Sequence, residues 1–314
     1  MRVCHIIGSF RPVIGGAERA TETLVGGLVE QGADVIVLTR RYAAADPAHE
    51  TIRGAAVYRL GLPGRSKLHA LTFGLHALAV LALQFRGYRV LHVQDIDTST
   101  FVGMLARLLP GRRLVTTIHG DMPIVGRSRS WRGRLRVRGM VRATDMFTSI
   151  NPENTRVLVG AGASRERIRE IPNGIDELVY HPPSDEERAE ARASLGLEED
   201  EFVALYLGRL HPIKRVDLLI DAWAQRARKQ RSRLLIVGGG SEDERLRRQA
   251  SGDESIRFDG PTDEPERYLR AASIFVNPSD SEGLSVATLE ASFVGLLPIV
   301  TVCPGNDVIV EDGR

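Results

Sequence analysis

Cysteine is nearly absent: only Cys4 and Cys303 occur in 314 residues, at opposite ends and each inside a strand-like run. That excludes a disulfide framework or a thiolate metal cluster and leaves both as small buried hydrophobes. A large excess of one sign of charge is missing too. With 42 Lys and Arg against 40 Asp and Glu, the net charge of +2 does not select nucleic acid as a partner. The opening "MRVCHIIGSF" reads as a first strand without a small-residue cleavage site, so no secretory leader is expected and the reading is cytoplasmic. Long apolar runs are rare. The one exception, "LHALTFGLHALAVLALQF" (68–85), has about the minimum length for a membrane span. It carries His69, Thr72, His76 and Gln84 and leads directly into a strand, so it reads as a buried helix of an α/β layer with its histidines in the core.

What is present is an alternation of short apolar runs and helical patterns, in a chain long enough for two domains. Strands are expected at 2–7, 34–39, 89–94, 114–119 and 146–150. A helix is expected over 16–31, with Ala17, Ala20, Leu24 and Leu28 at helical spacing and Gly32 as its cap. Near-continuous apolar strands separated by helices predict a parallel sheet covered on both faces. "IPNGIDELVYHPPSDEE" (171–187) then reads as a linker, and strands restart at 202–208, 233–239, 256–260, 274–278 and 297–302. The expected fold class is α/β, with two doubly wound Rossmann-like domains at 1–175 and 201–314 and a linker with a first helix region at 176–200. The chain stops at "VIVEDGR" (308–314) with no closing helix, so the second domain is expected to be incomplete.

Open parallel sheets bind ligands beyond the carboxyl ends of their strands. Gly15 and Gly16 precede the first helix, where bare amides suit an anion or a plain turn. A dinucleotide fingerprint is absent, since no Gly-x-Gly-x-x-Gly follows the first strand and the second ends in Thr39, Arg40 and Arg41. In the second half, "GRLHPIK" places Arg209 and Lys214 after a strand, as a diphosphate grip or a solvated surface pair. Gly238, Gly239 and Gly240 end the next strand. "DSEGLSVATLE" (280–290) sets Glu282 and Glu290 eight positions apart. With a helix expected over 284–294, that is about 12 Å along a helix. It is too far for the ~5–5.5 Å pair of a retaining glycosidase, but suits a ligand with hydroxyls at both ends and a diphosphate between them, such as a nucleotide sugar.

"GRLHPIK" followed by "DSEGLSVATLEA" resembles the C-terminal domain of glycosyltransferase family 4, marked by Glu-x7-Glu. "GGAERATETLVGGLVEQGADVIVLT", "TIHGDMP" and "IPNGID" are similar to its N-terminal landmarks, so the likeness spans essentially the whole chain. The resemblance implies a GT-B fold, with two Rossmann-like domains facing a central cleft. It also implies a retaining, metal-independent transfer from a nucleotide-diphosphate sugar, with UDP expected first, to an acceptor hydroxyl. Arg209 and Lys214 would grip the diphosphate, Glu290 the ribose and Glu282 the donor sugar. The amides of Gly283, Leu284 and Ser285 would face sugar or phosphate, with Gly15 and Gly16 opposite and Gly238 nearby. His119 would contact the transferred sugar, and Phe258 and Gly260 would lie near the base. The sequence departs from the family at "CPGNDVIVEDG", where a proline precedes Gly305 and the usual acid is lost or moved to Asp307.

Such a site implies front-side attack, with Arg209 and Lys214 stabilising charge on the leaving phosphate. A nucleotide-sugar epimerase and a non-catalytic nucleotide-sugar-binding protein are the competing readings. "DID" (95–97) looks like a metal motif of another glycosyltransferase fold but reads here as an acceptor-side or solvated loop; no metal is assigned and no cofactor is expected. The run from Arg127 to Arg142 belongs to a stretch with seven arginines and no acid, suited to an anionic membrane, to an acidic or phosphorylated acceptor, or to a solvated helix face.

Overall fold

The computed structural model describes residues 1–13, 15–94, 96–119, 130–226 and 231–311. The chain divides into two compact units, Met1–Gly174 and Ile175–Arg314.

The first unit is built on β1 (Arg2–Ile7), β2 (Asp34–Arg40), β3 (His49–Ile52), β4 (Ala55–Leu60), β5 (Val90–Gln94), β6 (Arg113–Ile118), β7 (Met146–Ser149) and β8 (Ile168–Glu170). Their order across the sheet is β3-β4-β2-β1-β5-β6-β7-β8, parallel throughout except for the β3–β4 hairpin. Side-chain alternation sorts each central strand between two cores. Cys4 and Ile6 of β1 and Leu91 and Val93 of β5 join one cluster, while Ile7 joins another with Val25, Val35 and Val37. The same period puts His5, His92 and Gln94 together on neighbouring strands in matched register.

Helices α1 (Gly16–Glu30), α2 (Lys67–Leu83), α3 (Thr98–Ala106), α4 (Trp131–Ala143) and α5 (Pro152–Gly160) connect these strands. Their starts are chemically marked. Ser66, Asp97, Ser130 and Asn151 each accept a bond from a backbone amide two or three residues on, offsetting orphan donors of the first turn. Phe73, Ala77 and Leu81 of α2 are fully buried. Truncating Phe73 to alanine would cost about 3–5 kcal/mol.

Several expectations are corrected. Leu24 is exposed, because α1 turns Ala20, Thr21, Val25 and Gly26 inward instead. The uncharged helix is only half buried: Leu68, Leu71, Leu75 and Leu83 face outward, since one sheet face covers only one side of a helix. His69 is buried, but His76 is exposed and accepts a bond from the Gly61 amide. Three strands were not expected. Of these, β3 and β4 form a hairpin around Arg53 and Gly54, both at positive φ, which is the two-residue turn that matches strand twist. Asp95, and Arg127 at the head of the basic run, lie outside the described residues.

The second unit carries β9 (Phe202–Leu207), β10 (Ser232–Val237), β11 (Ile256–Gly260), β12 (Ile274–Asn277) and β13 (Leu297–Val300) in the order β11-β10-β9-β12-β13, all parallel. Its helices are α6 (Asp185–Ser194), α7 (Val216–Ala224), α8 (Asp243–Gln249), α9 (Pro265–Ala271) and α10 (Val286–Phe293). Val203 and Leu205 point to a core with α6, α9 and α10, while Ala204 and Tyr206 point to the core under α7 and α8. Serine 184 and Glu187 form a reciprocal capping box at the start of α6. Helix α10 begins at Val286, two residues later than expected, so Glu282 precedes it and the helix-rise distance does not apply to the Glu282–Glu290 pair.

Candidate active site

Winding in the second sheet reverses at β9, which has β10 on one side and β12 on the other. Loops leaving two strands at such a switch diverge and open a crevice. The loop after β9 holds Arg209 and Lys214; the loop after β12 holds Asp280 and Glu282.

These loops are tied to each other. The Asp280 amide donates to the Ile213 carbonyl at 2.9 Å, and Arg215 reaches the Asp280 carboxylate at 3.2 Å. Lys214 Nζ lies 2.6 Å from Glu282 Oε1, with both side chains largely buried. The same oxygen accepts from Asn277 Nδ2 at 3.1 Å and Ser279 Oγ at 2.7 Å. Asn277, buried at the end of β12, also reaches Ser285 Oγ and Thr288 Oγ1. Ser285 caps α10 through the Thr288 amide. One buried amide side chain therefore fixes both Glu282 and the start of the helix that carries Glu290.

The backbone before Lys214 is shaped as closely. His211 caps a short 3-10 turn, Pro212–Lys214, and Arg215 then adopts left-handed geometry at φ 49° before α7. Arg209 is exposed, and its guanidinium makes no ion pair among the described residues. Tyr206, buried beneath this loop, donates its hydroxyl to the Arg209 carbonyl at 2.9 Å. Burial, reinforced by the Glu282 charge and opposed by Arg209, pushes that phenol far up, so it stays protonated.

The expected glycines at the strand ends are structural requirements. Gly238 sits at φ 139°, and a Cβ there would lie 1.8 Å from the Gly208 carbonyl oxygen. Its amide donates to the Gly260 carbonyl at 2.8 Å. Phe258 packs against the α7-side core, with the Arg247 guanidinium 4.8 Å above its ring. Leu284, Ser285 and Glu290 are all buried. Sequence reasoning missed Asn277 and Gly305. A polar residue closing the apolar run "IFVN" was the available signal for the first. Gly305 packs on the Glu282 loop: a Cβ there would meet the Glu282 carbonyl oxygen at 2.5 Å. Asp307 is exposed, whereas neighbouring Asn306 is buried and bonds the Thr301 carbonyl.

In the first unit the winding reverses between β1 and β5. His119, just past β6, contacts Gln94 Oε1 at 2.9 Å through Nε2. Gln94 Nε2 lies 3.2 Å from His5 Nδ1, and His92 Nε2 lies 2.7 Å from Thr117 Oγ1. Burial pushes His5 down to about 4; it also lowers His92, assisted by the charges of His5 and His119. These rings are neutral at physiological pH, and the set supports His119 from below. Gly15 caps α1, and a Cβ on it would meet the Glu18 carboxylate at 2.5 Å, so that helix start already faces an acid. Asp97 caps α3 and pairs with Arg40. Its carboxylate is thus committed to structure. Among the described residues, no three His, Cys, Asp or Glu side chains cluster as a metal site.

Two α/β units built on parallel sheets, with polar residues gathered at the carboxyl ends of their strands, are the architecture of the GT-B fold class. The structure of the Anabaena protein HepE with UDP-glucose superposes with a TM-score of 0.77 at 20% identity, covering 99% of this chain and 83% of that one. The model described as Glycosyltransferase Family 4 matches residues 14–177, and that described as Glycosyl transferases group 1 matches 201–314. The chain belongs to glycosyltransferase family 4. It is 29% identical to the D-inositol 3-phosphate glycosyltransferase of Acidothermus cellulolyticus, over 96% of this chain and 73% of the relative. It is also 29% identical to a GDP-mannose-dependent alpha-(1-6)-phosphatidylinositol monomannoside mannosyltransferase of Mycolicibacterium smegmatis, over 98% and 82%.

Proposed function

We propose that this glycosyltransferase moves a sugar from a nucleotide-diphosphate donor to an acceptor hydroxyl with retention of configuration and without a metal. The observation that carries this reading is the Lys214–Glu282 pair, anchored by Asn277 and Ser279 where the two loops of the switch point meet. Lys214 supplies a point charge and Arg209 a planar fork for the donor diphosphate. Glu282 takes the hydroxyls of the donor sugar and Glu290 those of the ribose. Gly283 and Ser285 present amides at the start of α10, where an anion is favoured. As the donor bond breaks, negative charge grows on the leaving phosphate, and preorganised cations stabilise it without needing a metal. The acceptor attacks from the face the diphosphate leaves, and the departing phosphate takes the acceptor proton. His119, held by Gln94, is assigned to the transferred sugar.

Two relatives bear names that specify inositol-phosphate acceptors, which makes D-inositol 3-phosphate the first acceptor to offer. Calorimetric titration with UDP-, GDP- and ADP-sugars, followed by NMR of the product's anomeric proton with and without EDTA, tests the reading. Retained configuration and EDTA-insensitive turnover support it. An inverted product or a strict metal requirement overturns it.

A further inference from the structure

We propose that the outer surface of the α2–α3–α4 layer in the first unit docks on an anionic lipid bilayer. This goes beyond the transfer reaction and uses none of its residues.

The three helices lie side by side. Helix α2 packs on α3, and α3 contacts α4, where Gly139 comes close to the Met104 side chain. All three present apolar side chains outward. On α2 these are Leu68, Leu71, Leu75 and Leu83, spaced so that they form one stripe along the helix. Phe101 and Leu105 of α3 and Leu108 just beyond it continue the surface, and Trp131 and Leu135 of α4 complete it. Every one of these side chains is between 47% and 78% exposed. A contiguous surface of this kind on a water-soluble fold marks an interaction site, whereas isolated exposed leucines do not.

Charge identifies the occupant. None of the three helices contains an acid, and α4 exposes Arg132, Arg134, Arg136, Arg138 and Arg142. Residues 51–144 carry sixteen Lys and Arg against three Asp and Glu, so the near-neutral total of the chain conceals a strongly cationic block. Arginine and apolar groups are interleaved: the Arg136 guanidinium lies 5.9 Å from the centre of the Phe101 ring, and Arg132 lies 5.3 Å from that of Trp131. Leucine, tryptophan and arginine on one face match the boundary between acyl chains and anionic headgroups. A two-fold contact with a second copy would instead set arginine against arginine. No described helix is long and apolar enough to cross a membrane, so the contact is parallel to the surface.

The test is co-sedimentation of the full chain with phosphatidylcholine vesicles, with and without phosphatidylglycerol, while Trp131 emission is followed. The other tryptophan, Trp223, is buried in the second unit, so a change on docking reports Trp131. Binding to phosphatidylglycerol vesicles alone, with a blue shift, is expected. Leu71→Gln/Leu75→Gln and Arg132→Gln/Arg138→Gln are each expected to weaken it about tenfold or more. Both exposed pairs should leave the melting temperature and nucleotide-sugar binding unchanged, which separates this inference from the transfer reading. Equal binding to neutral vesicles, no binding at all, or wild-type binding by both variants overturns it. So does a concentration-dependent dimer abolished by the leucine pair, which would assign the surface to a second copy.

Discussion

Lys214 and Glu282 are separated by sixty-eight positions in the sequence and by 2.6 Å between charged atoms. Glu282 Oε1 is also the acceptor for Asn277 and Ser279, so the carboxylate is held whether or not the lysine moves to a ligand. Lys214→Ala is expected to lower kcat about 10²–10³-fold, the usual cost of deleting one preorganised donor. The Lys214→Ala/Glu282→Gln double variant should lose less than the product of the two single losses, because the groups share one contact. Steady-state kinetics on the four species measure this, and strict additivity would count against a shared site.

Gly238 and Gly252 separate strain from collision. Both have positive φ, but an added Cβ meets the Gly208 carbonyl at Gly238 and nothing within 4 Å at Gly252. Gly252→Ala is expected to destabilise by about 1 kcal/mol through backbone strain alone. Gly238→Ala should cost more than about 2 kcal/mol, because the loop carrying Arg209 must also shift. Urea titrations of both variants give the comparison.

Gly305 lacks positive φ, so its alanine variant carries no backbone penalty, yet its Cβ would press on the Glu282 and Gly283 carbonyls. Gly305→Ala is expected to lower the melting temperature, because backbone must shift to admit the Cβ, and also to weaken nucleotide-sugar binding of the remaining folded protein about tenfold or more. Calorimetry beside a thermal melt would show it. Unchanged affinity would mean that the Glu282 loop does not contact the donor.

His5 is buried and held down to about 4 from an ordinary 6.5, because the interior disfavours its charged form. The unfolded chain therefore takes up a proton first as pH falls. Stability is fully present above about 6.5 and is lost toward 4, on the order of 3 kcal/mol in total. Urea titrations across that window should show this slope, and His5→Leu should reduce it. A slope unchanged by the substitution would assign the proton uptake to another group.

Much of the architecture was legible from periodicity alone, because buried parallel strands read as apolar runs that few other structures produce. β11 matches its expected span, and β1 does as well. The exposed leucines of α2 were illegible for a physical reason. An apolar residue has the same identity on either face, and a helix uncharged all round has no pattern to show which side meets the sheet. Asn277 and Gly305 escaped for a related reason: each acts on residues brought near only by the order of the strands.

By itself, the amino-acid order determined the alternation of strands and helices, the family motifs and the residue types able to meet a diphosphate and sugar hydroxyls. Those properties depend on neighbours along the chain. Tertiary structure alone decided that Lys214 faces Glu282, that Asn277 locks that carboxylate and that four leucines of α2 remain uncovered. Each of these depends on which strands pair and on how much surface one sheet face can cover.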